Sequence, residues 1–467
     1  LRPAQPAAQP ATQPATQPAP RPELSEETEQ KEPGAKSYNP QSLTSLPALM
    51  LEELFAFWPE ASGLARFAES CKALEAFVLE RRKVFRLGRS CAQAGVEPEM
   101  VVSRISRHSH LSELDLSGYA ALTSSTGALL DRALAGSCLR ALRLRGCKAM
   151  SDVAVRRLLT RCPLVEVLDL LEIPRLSNKA LDVPLKALRV LGAGSLGRDV
   201  VAEKPRAREV NISSTAPAGL PRQQPKSSVR LTSALLARLA QHPDQGQAGG
   251  APLTHAVLPN CFDIEMLPHL PSTLRHLDLR GSALQMQDSS LGSKPLAGCS
   301  QLSVLCLGGN AFLSCAALLA IVASLPSSTQ LHVLDLSGTR FDSHGAISLP
   351  VMQSALTHLR LAGCPGVRNQ GLAAVLGGLR SLEVLDVAAC SLETPLPLET
   401  IRRGGADAAT PGGISPSLRL LGVGQTELVS CLEATRRAVA ALAPKAHVVP
   451  GSLDIFGGYS ELPPRLL

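Results

Sequence analysis

The chain has 467 residues and a net charge of +7, with 45% hydrophobic and only 3% aromatic residues. A charge this mild for the length gives no footprint for nucleic acid. No run of 18 apolar residues occurs, so neither a nucleic-acid partner nor a membrane span is expected. With so few aromatics, any core must be filled by Leu, Val and Ala. The first residue is Leu rather than Met, which reads as a fragment or trimmed chain.

Residues 1–40 are Pro, Ala, Gln and Thr with almost no large apolar side chain, and they continue into a charged stretch from Glu23 to Lys36. Such a segment buries too little surface to offset its chain entropy, so a disordered tail is expected. Residues 43–90 change character. Leu51, Leu54, Phe55 and Trp58, then Leu64, Phe67, Cys71, Leu74, Phe77 and Val78, recur at helical spacing, and Pro47 and Pro59 punctuate them. This predicts a small helical domain, followed by a connecting helix over 91–110.

From Leu111 onward one phrase recurs, Leu-x-x-Leu-x-Leu, with starts at 111, 139, 165, 185, 253, 274, 302, 331, 356, 382 and 418. Clear copies are Leu139-Leu142-Leu144 and Leu356-Leu359-Leu361. A fixed period of this length marks a solenoid of stacked units that cannot bury their apolar faces alone. Each unit reads as strand, turn, helix, with helices expected over Val153–Cys162, Cys315–Leu325 and Gly371–Leu379. The predicted architecture is α/β, with parallel strands on the concave side and helices on the convex side over 111–430. Two insertions interrupt it, at 194–252 and 393–417. Segments 213–228 and 241–252 are expected to be flexible, and Arg206–Ser214 to hold one degenerate copy. Residues 431–467 are expected to be a C-terminal cap or tail.

Twelve cysteines are present without a CxxC pair or zinc-ligand spacing. Cys147, Cys261, Cys364 and Cys390 share one slot of the repeat, under the turn after the strand. A small buried residue belongs there, and free Cys serves as one. Reduced thiols imply a cytoplasmic or nuclear protein.

The repeat resembles the cysteine-containing leucine-rich repeat family. That pattern follows the Leu phrase with Ser-Asp/Asn-x-Ala and a later Cys-Pro. Here it reads Ser151-Asp152-Val153-Ala154, Cys162-Pro163, and Ser177-Asn178-Lys179-Ala180 one unit on. Residues 43–90 resemble an F-box, through Leu46-Pro47, Leu54-Phe55-Ala56-Phe57-Trp58 and Cys71-Lys72. The match departs at Ser70 and Leu74, where that family carries an apolar residue and a Trp. The resemblance implies a substrate-recognition subunit of a ubiquitin ligase. In it Leu46, Pro47, Leu54, Phe55 and Cys71 form or support a docking surface for a Skp-type adaptor and its cullin complex, and the repeats hold a protein substrate of unknown identity. The alternative reading is a leucine-rich scaffold whose helical segment only caps the solenoid end.

No catalytic set is evident: there is no phosphate loop, no GxSxG and no cofactor motif, so no enzymatic activity is expected. His255, His276 and His358 share the strand position before the central Leu and should face the concave side, with His255 and His276 on neighbouring strands. No third ligand accompanies them, so partner contact is expected rather than a metal. The next position reads Asp115, Arg143, Asp169, Arg189, Val257, Asp278, Cys306, Asp335, Arg360 and Asp386, where opposite charges are expected to pair along the ladder. Arg140, Arg143, Arg145, Lys186 and Arg189 form the candidate basic patch for an acidic or phosphorylated partner, since Arg grips such groups with a bidentate fork.

Overall fold

The structure is a computed structural model that describes residues 83–87, 96–108, 110–174, 176–196, 229–240, 253–285, 294–392, 415–426, 429, 432–451 and 453. The chain divides into two units, 1–75 and 76–467. The expected tail, and the F-box-like residues up to 82, lie outside the described residues, as do segments 213–228 and 241–252.

The second unit is one parallel sheet of thirteen strands in strict chain order. They are β1 (Val84–Arg86), β2 (Glu113–Asp115), β3 (Ala141–Arg143), β4 (Val167–Leu171), β5 (Val190–Gly194), β6 (His255–Val257) and β7 (His276–Asp278). The ladder continues through β8 (Val304–Cys306), β9 (Val333–Asp335), β10 (His358–Arg360), β11 (Val384–Asp386), β12 (Leu420–Gly422) and β13 (His447–Val449). The register never slips. Leu114 pairs with Leu142, Leu334 with Leu359, and Leu359 with Leu385. Parallel strands need a crossover, and here helices supply most of them. These are α1 (Pro98–Ser106), α2 (Ser124–Ala133), α3 (Asp152–Arg161), α4 (Ser233–Ala240), α5 (Cys315–Ala323), α6 (Ser343–Met352), α7 (Asn369–Gly378) and α8 (Leu432–Leu442), with a 3-10 turn at Asn178–Leu181. Between β6 and β7 the crossover, fully described, contains no helix.

The middle residue of each three-residue strand, and Leu168 and Leu191 in β4 and β5, point away from the concave face and into one continuous core. Leu142, Leu144, Leu359 and Leu361 are all fully buried there, beside Val155 and Leu158 of α3. Burying one such leucine contributes roughly 1.5–3 kcal/mol. Helix starts are built by capping. Thr123 and Thr126 form a capping box, and Ser151, Ser314 and Asp342 each accept an amide of the first turn. Asp152 then ties its unit to the next by accepting the Ser177 amide at 2.9 Å. That contact is the physical reason for the Ser-Asp pair in the repeat.

The turn after the strand has its own rule. The fourth residue past the strand centre has positive φ in unit after unit: Gly118, Gly146, Gly281, Gly309, Gly338 and Gly363. Glu172, Asn260, Ala389 and Gln425 adopt the same conformation without being glycine. Each of these turns feeds the next unit, as when Gly363 donates its amide to the Ala388 carbonyl at 2.7 Å. The fifth residue turns inward. Cys147, Cys364 and Cys390 are buried there, and their thiols donate to the Leu116, Leu336 and Leu361 carbonyls of the preceding unit at 3.3, 3.1 and 3.1 Å. The cysteine slot is thus a weak hydrogen-bonding position as well as an apolar one.

Four expectations change. The ladder begins at β1, inside the segment read as helical, and continues to β13, past the expected end at 430. Neither end strand carries the Leu phrase: Phe85 and Val448 stand at the strand centres, with Arg82 and Lys445 where the phrase begins. The unit placed at Leu185 begins at Leu188, because Leu168 pairs with Leu191 and Asp169 with Gly192. The insertion at 194–252 is not structureless throughout. Val229, Leu231, Leu235 and Leu236 are core residues, and Arg230 bridges to Ser177. Finally, β5 pairs directly with β6, so the ladder has no place for a strand from 206–214, which itself lies outside the described residues.

Candidate functional site

The sheet face turned away from the helices carries two rows of side chains, one on each side of the buried strand centre. The row before it includes Glu113, Ala141, Val167, Val190, His255, His276, Val304, Val333, His358 and Val384. The row after it holds the acids and Arg expected from the sequence, with Gly192 in the place assigned to Arg189. Much of this face is buried. Asp278, Asp335 and Asp386 are fully covered, and Val333, Val384 and Cys306 nearly so.

The acids have a structural task that the sequence reading missed. In each of Asp115, Asp169, Asp278, Asp335 and Asp386, Oδ1 accepts the main-chain amide two residues on, at 2.9–3.1 Å. In the three-residue strands this Asx turn ends the strand and starts the positive-φ turn. Pairing along the ladder also occurs. Arg360 lies 3.9 Å from Asp335 and 3.4 Å from Asp386, while Arg280, in the turn after β7, grips Asp278 two residues back at 2.8 Å. Burial pushes the Asp169 carboxyl up to about 6, despite the Leu171 amide and the positive charge of Arg145 that favour ionisation.

The five basic candidates do not make one open patch. Arg143 is buried, 3.6 Å from Glu113. Arg140 and Arg189 are exposed one residue before their strands, and both pair with Glu166, at 3.2 and 3.9 Å. Such surface pairs contribute only ~0–1 kcal/mol, but the glutamate offsets charge where the sequence reading expected uniform positive charge. Lys186 is exposed on the preceding turn and Arg145 is half-buried beside Asp169.

The histidines are where the spacing placed them. His255 and His276 are register partners with ring centroids 5.8 Å apart, and His358 lies three strands on. Burial first, then neighbouring positive charge, lowers both rings of the pair to about 4, so they are neutral at pH 7. His255 and His358 each share Nδ1 with a preceding threonine hydroxyl at 2.9 Å. His276 Nε2 is buried without a hydrogen-bond partner among the described residues. Among those residues no three His, Cys, Asp or Glu side chains gather as a metal ion requires.

Burial pushes the thiols of Cys147 and Cys390 up to about 12 and those of Cys299 and Cys315 to about 11, the opposite of an activated nucleophile. Leu46, Pro47, Leu54, Phe55 and Cys71 lie outside the described residues. Two further residues of this face had no signal in the repeat phrase, Leu196 and Leu453, which fall where the period is broken or where no strand had been assigned. Gly422 lies within the phrase starting at 418, in the slot that Asp386 fills one strand earlier. Among the described residues, no helix is long and apolar enough to cross a membrane.

No family model matches the chain, and no curated protein matches it. Solved structures do align with it. A leucine-rich repeat protein of Leptospira interrogans is 14% identical over 79% of this chain and 82% of its own, with a TM-score of 0.38. The Rad7 and Elc1 complex in yeast gives 14% identity over 83% and 88%, with a TM-score of 0.43. An internalin of Listeria monocytogenes gives 12% over 75% and 92%, with a TM-score of 0.36. The fold itself is an α/β leucine-rich repeat solenoid, fixed by the unbroken parallel register and the leucine ladder beneath it.

Proposed function

We propose that this chain is a protein-interaction scaffold that holds a protein partner on its concave face, and that residues 43–90 make it the substrate-recognition subunit of a Skp-cullin-F-box type ubiquitin ligase. The observation that carries the scaffold reading is the concave face itself. Thirteen strands set His, Arg, Asp and Val side chains in two rows of fixed register, of which Glu113, Asp115, His255, His358 and Arg360 are partly exposed. A surface this long and chemically varied suits a protein chain better than a small molecule, which needs a concave pocket. The ligase reading is finer and rests on sequence: Leu46-Pro47, Leu54-Phe55 and Cys71 stand in F-box order ahead of cysteine-type repeats. A cytoplasmic or nuclear setting goes with it.

The test is recovery of bound proteins with the full chain and with a chain lacking residues 40–75, which leaves β1 in place. A Skp-type adaptor recovered only with the full chain supports the ligase reading. A folded full chain that recovers no adaptor defeats it and leaves the scaffold.

A further inference from the structure

In the regular units the fifth residue past the strand centre enters the core, as Cys147, Cys261 and Cys364 do. Two units break this rule. The fifth residue after Leu191 is Leu196, and the fifth after Val448 is Leu453. Leu196 packs with the concave-row cluster of Val167, Val190 and Val257, and Leu453 belongs to the cluster of Val304, Val333 and Val384. At both places the chain passes over the sheet instead of under it.

At Leu453 the result is a built seat. Its main-chain amide donates to Asp386 Oδ2 at 3.1 Å, while Oδ1 of that fully buried carboxylate holds the Ala388 amide. Its side chain is buried over Gly422 of β12, beside the cluster that includes Val384, Leu420 and Val449. A Cβ on Gly422 would stand 2.9 Å from Leu453 Cγ and 2.8 Å from Asp386 Oδ1, so only glycine leaves room. Gly422 has no positive φ, so the backbone does not call for glycine there. The space is kept for what lies on top.

We propose that this seat is a peptide-binding site, filled in the free protein by Leu453, and that it takes from a protein partner an extended segment bearing a leucine-sized side chain, which displaces Leu453. The proposal rests on the reading of the concave face as the partner surface and names the chemistry recognised there. The Asp386 carboxylate, with Arg360 Nε 3.4 Å from its Oδ2, accepts a main-chain N–H, and the apolar saddle selects the side chain. Main-chain hydrogen bonds with pockets for alternate side chains are a recurring way to hold an extended peptide.

The test uses the full chain and a fluorescent peptide of its own residues 450–456. A tethered occupant competes at an effective concentration of ~mM, so the parent chain should bind the peptide about tenfold or more weakly than a Leu453→Asp chain, whose charged side chain the apolar cluster excludes. Adding Gly422→Ala to that variant should abolish binding, and a peptide with the same Leu→Asp change should not bind. A folded Leu453→Asp chain that ignores the peptide, or a parent that binds it equally well, overturns the proposal. If Leu453→Asp does not fold, the readout is thiol labelling at Val384→Cys, followed at that position by mass spectrometry. Gly422→Ala should expel Leu453 and speed labelling about tenfold, in keeping with the competition above, and equal rates overturn the proposal. Neither assay needs a partner. Loss of peptide binding with partner capture retained removes this site alone, and loss of partner capture with peptide binding retained removes the scaffold reading.

Discussion

His255 and His276 face one another from adjacent strands, their ring centroids 5.8 Å apart and their planes tilted by 36°. Burial holds both rings neutral, with values lowered from 6.5 to about 4. The unfolded chain takes up these protons near pH 6.5, and the folded chain only near pH 4. Their contribution to stability is therefore fully present above pH 6.5 and is lost as pH falls towards 4. Asp169 works in the other direction: raised from 3.8 to about 6, its buried charge costs stability above pH 6, and that cost is relieved as pH falls. His276→Gln should make urea stability less dependent on pH between 6.5 and 4. An unchanged slope would mean the ring is protonated in the fold.

The leucine ladder sets the largest single-residue effects. Leu359 is fully buried at the centre of β10, between Leu334 and Leu385. Leu359→Ala should cost ~2–5 kcal/mol, the range for truncating a buried leucine. Urea denaturation measures it, and a loss under ~1 kcal/mol would show that the site is not packed as a core leucine is.

This ladder was legible because it is periodic. Every Leu at 142, 144, 359 and 361 has the burial that its place in the phrase demands. The unit at 188 was misread because Leu185, Leu188 and Val190 also satisfy the phrase, three residues out of register, and only pairing with β4 decides between them. The histidine pair was legible because one shared slot on consecutive strands implies contact. The role of the acids was not. An Asp that ends a strand and an Asp that binds a partner look alike in sequence, and the difference is an amide two residues away. The seat at Leu453 was illegible for another reason: it joins β11, β12 and the chain after β13, across a break in the period.

The turn role of the acids can be separated from a partner role at Asp335. Its Oδ1 accepts the Ser337 amide at 2.9 Å, and Arg360 lies near its other oxygen. Asp335→Ala removes the acceptor from a fully buried position and should cost ~1–3 kcal/mol. Asp335→Asn keeps an acceptor oxygen for the amide and should cost less. Thermal denaturation of the two variants checks the order. Equal losses would mean that the charge, not the turn, is what matters.

Ala389 stands where other units place glycine, at φ 54°. An L residue there carries a penalty of roughly 1–2 kcal/mol, and Ala389 is exposed, so its methyl group returns little packing. Ala389→Gly should stabilise the chain by ~1 kcal/mol, less than the full penalty because glycine loses more chain entropy on folding. A destabilised variant in a urea series would show that the turn is not strained.

The proposed ligase role stands or falls on Leu54 and Phe55. Under that reading the two form part of the surface on which a Skp-type adaptor packs. Leu54→Ser with Phe55→Ser should then abolish adaptor recovery and leave the melting of the solenoid unchanged, because the ladder from β1 to β13 has its own continuous core within a separate unit of the chain. Under the scaffold reading the same segment closes the apolar end of the ladder. The double change would then expose that end and lower the melting temperature of the whole chain. One mutant measured in two ways separates the cases, since adaptor binding and melting temperature move independently. A lower melting temperature, with no adaptor recovered even by the parent chain, defeats the ligase reading. Lost adaptor binding at an unchanged melting temperature supports it.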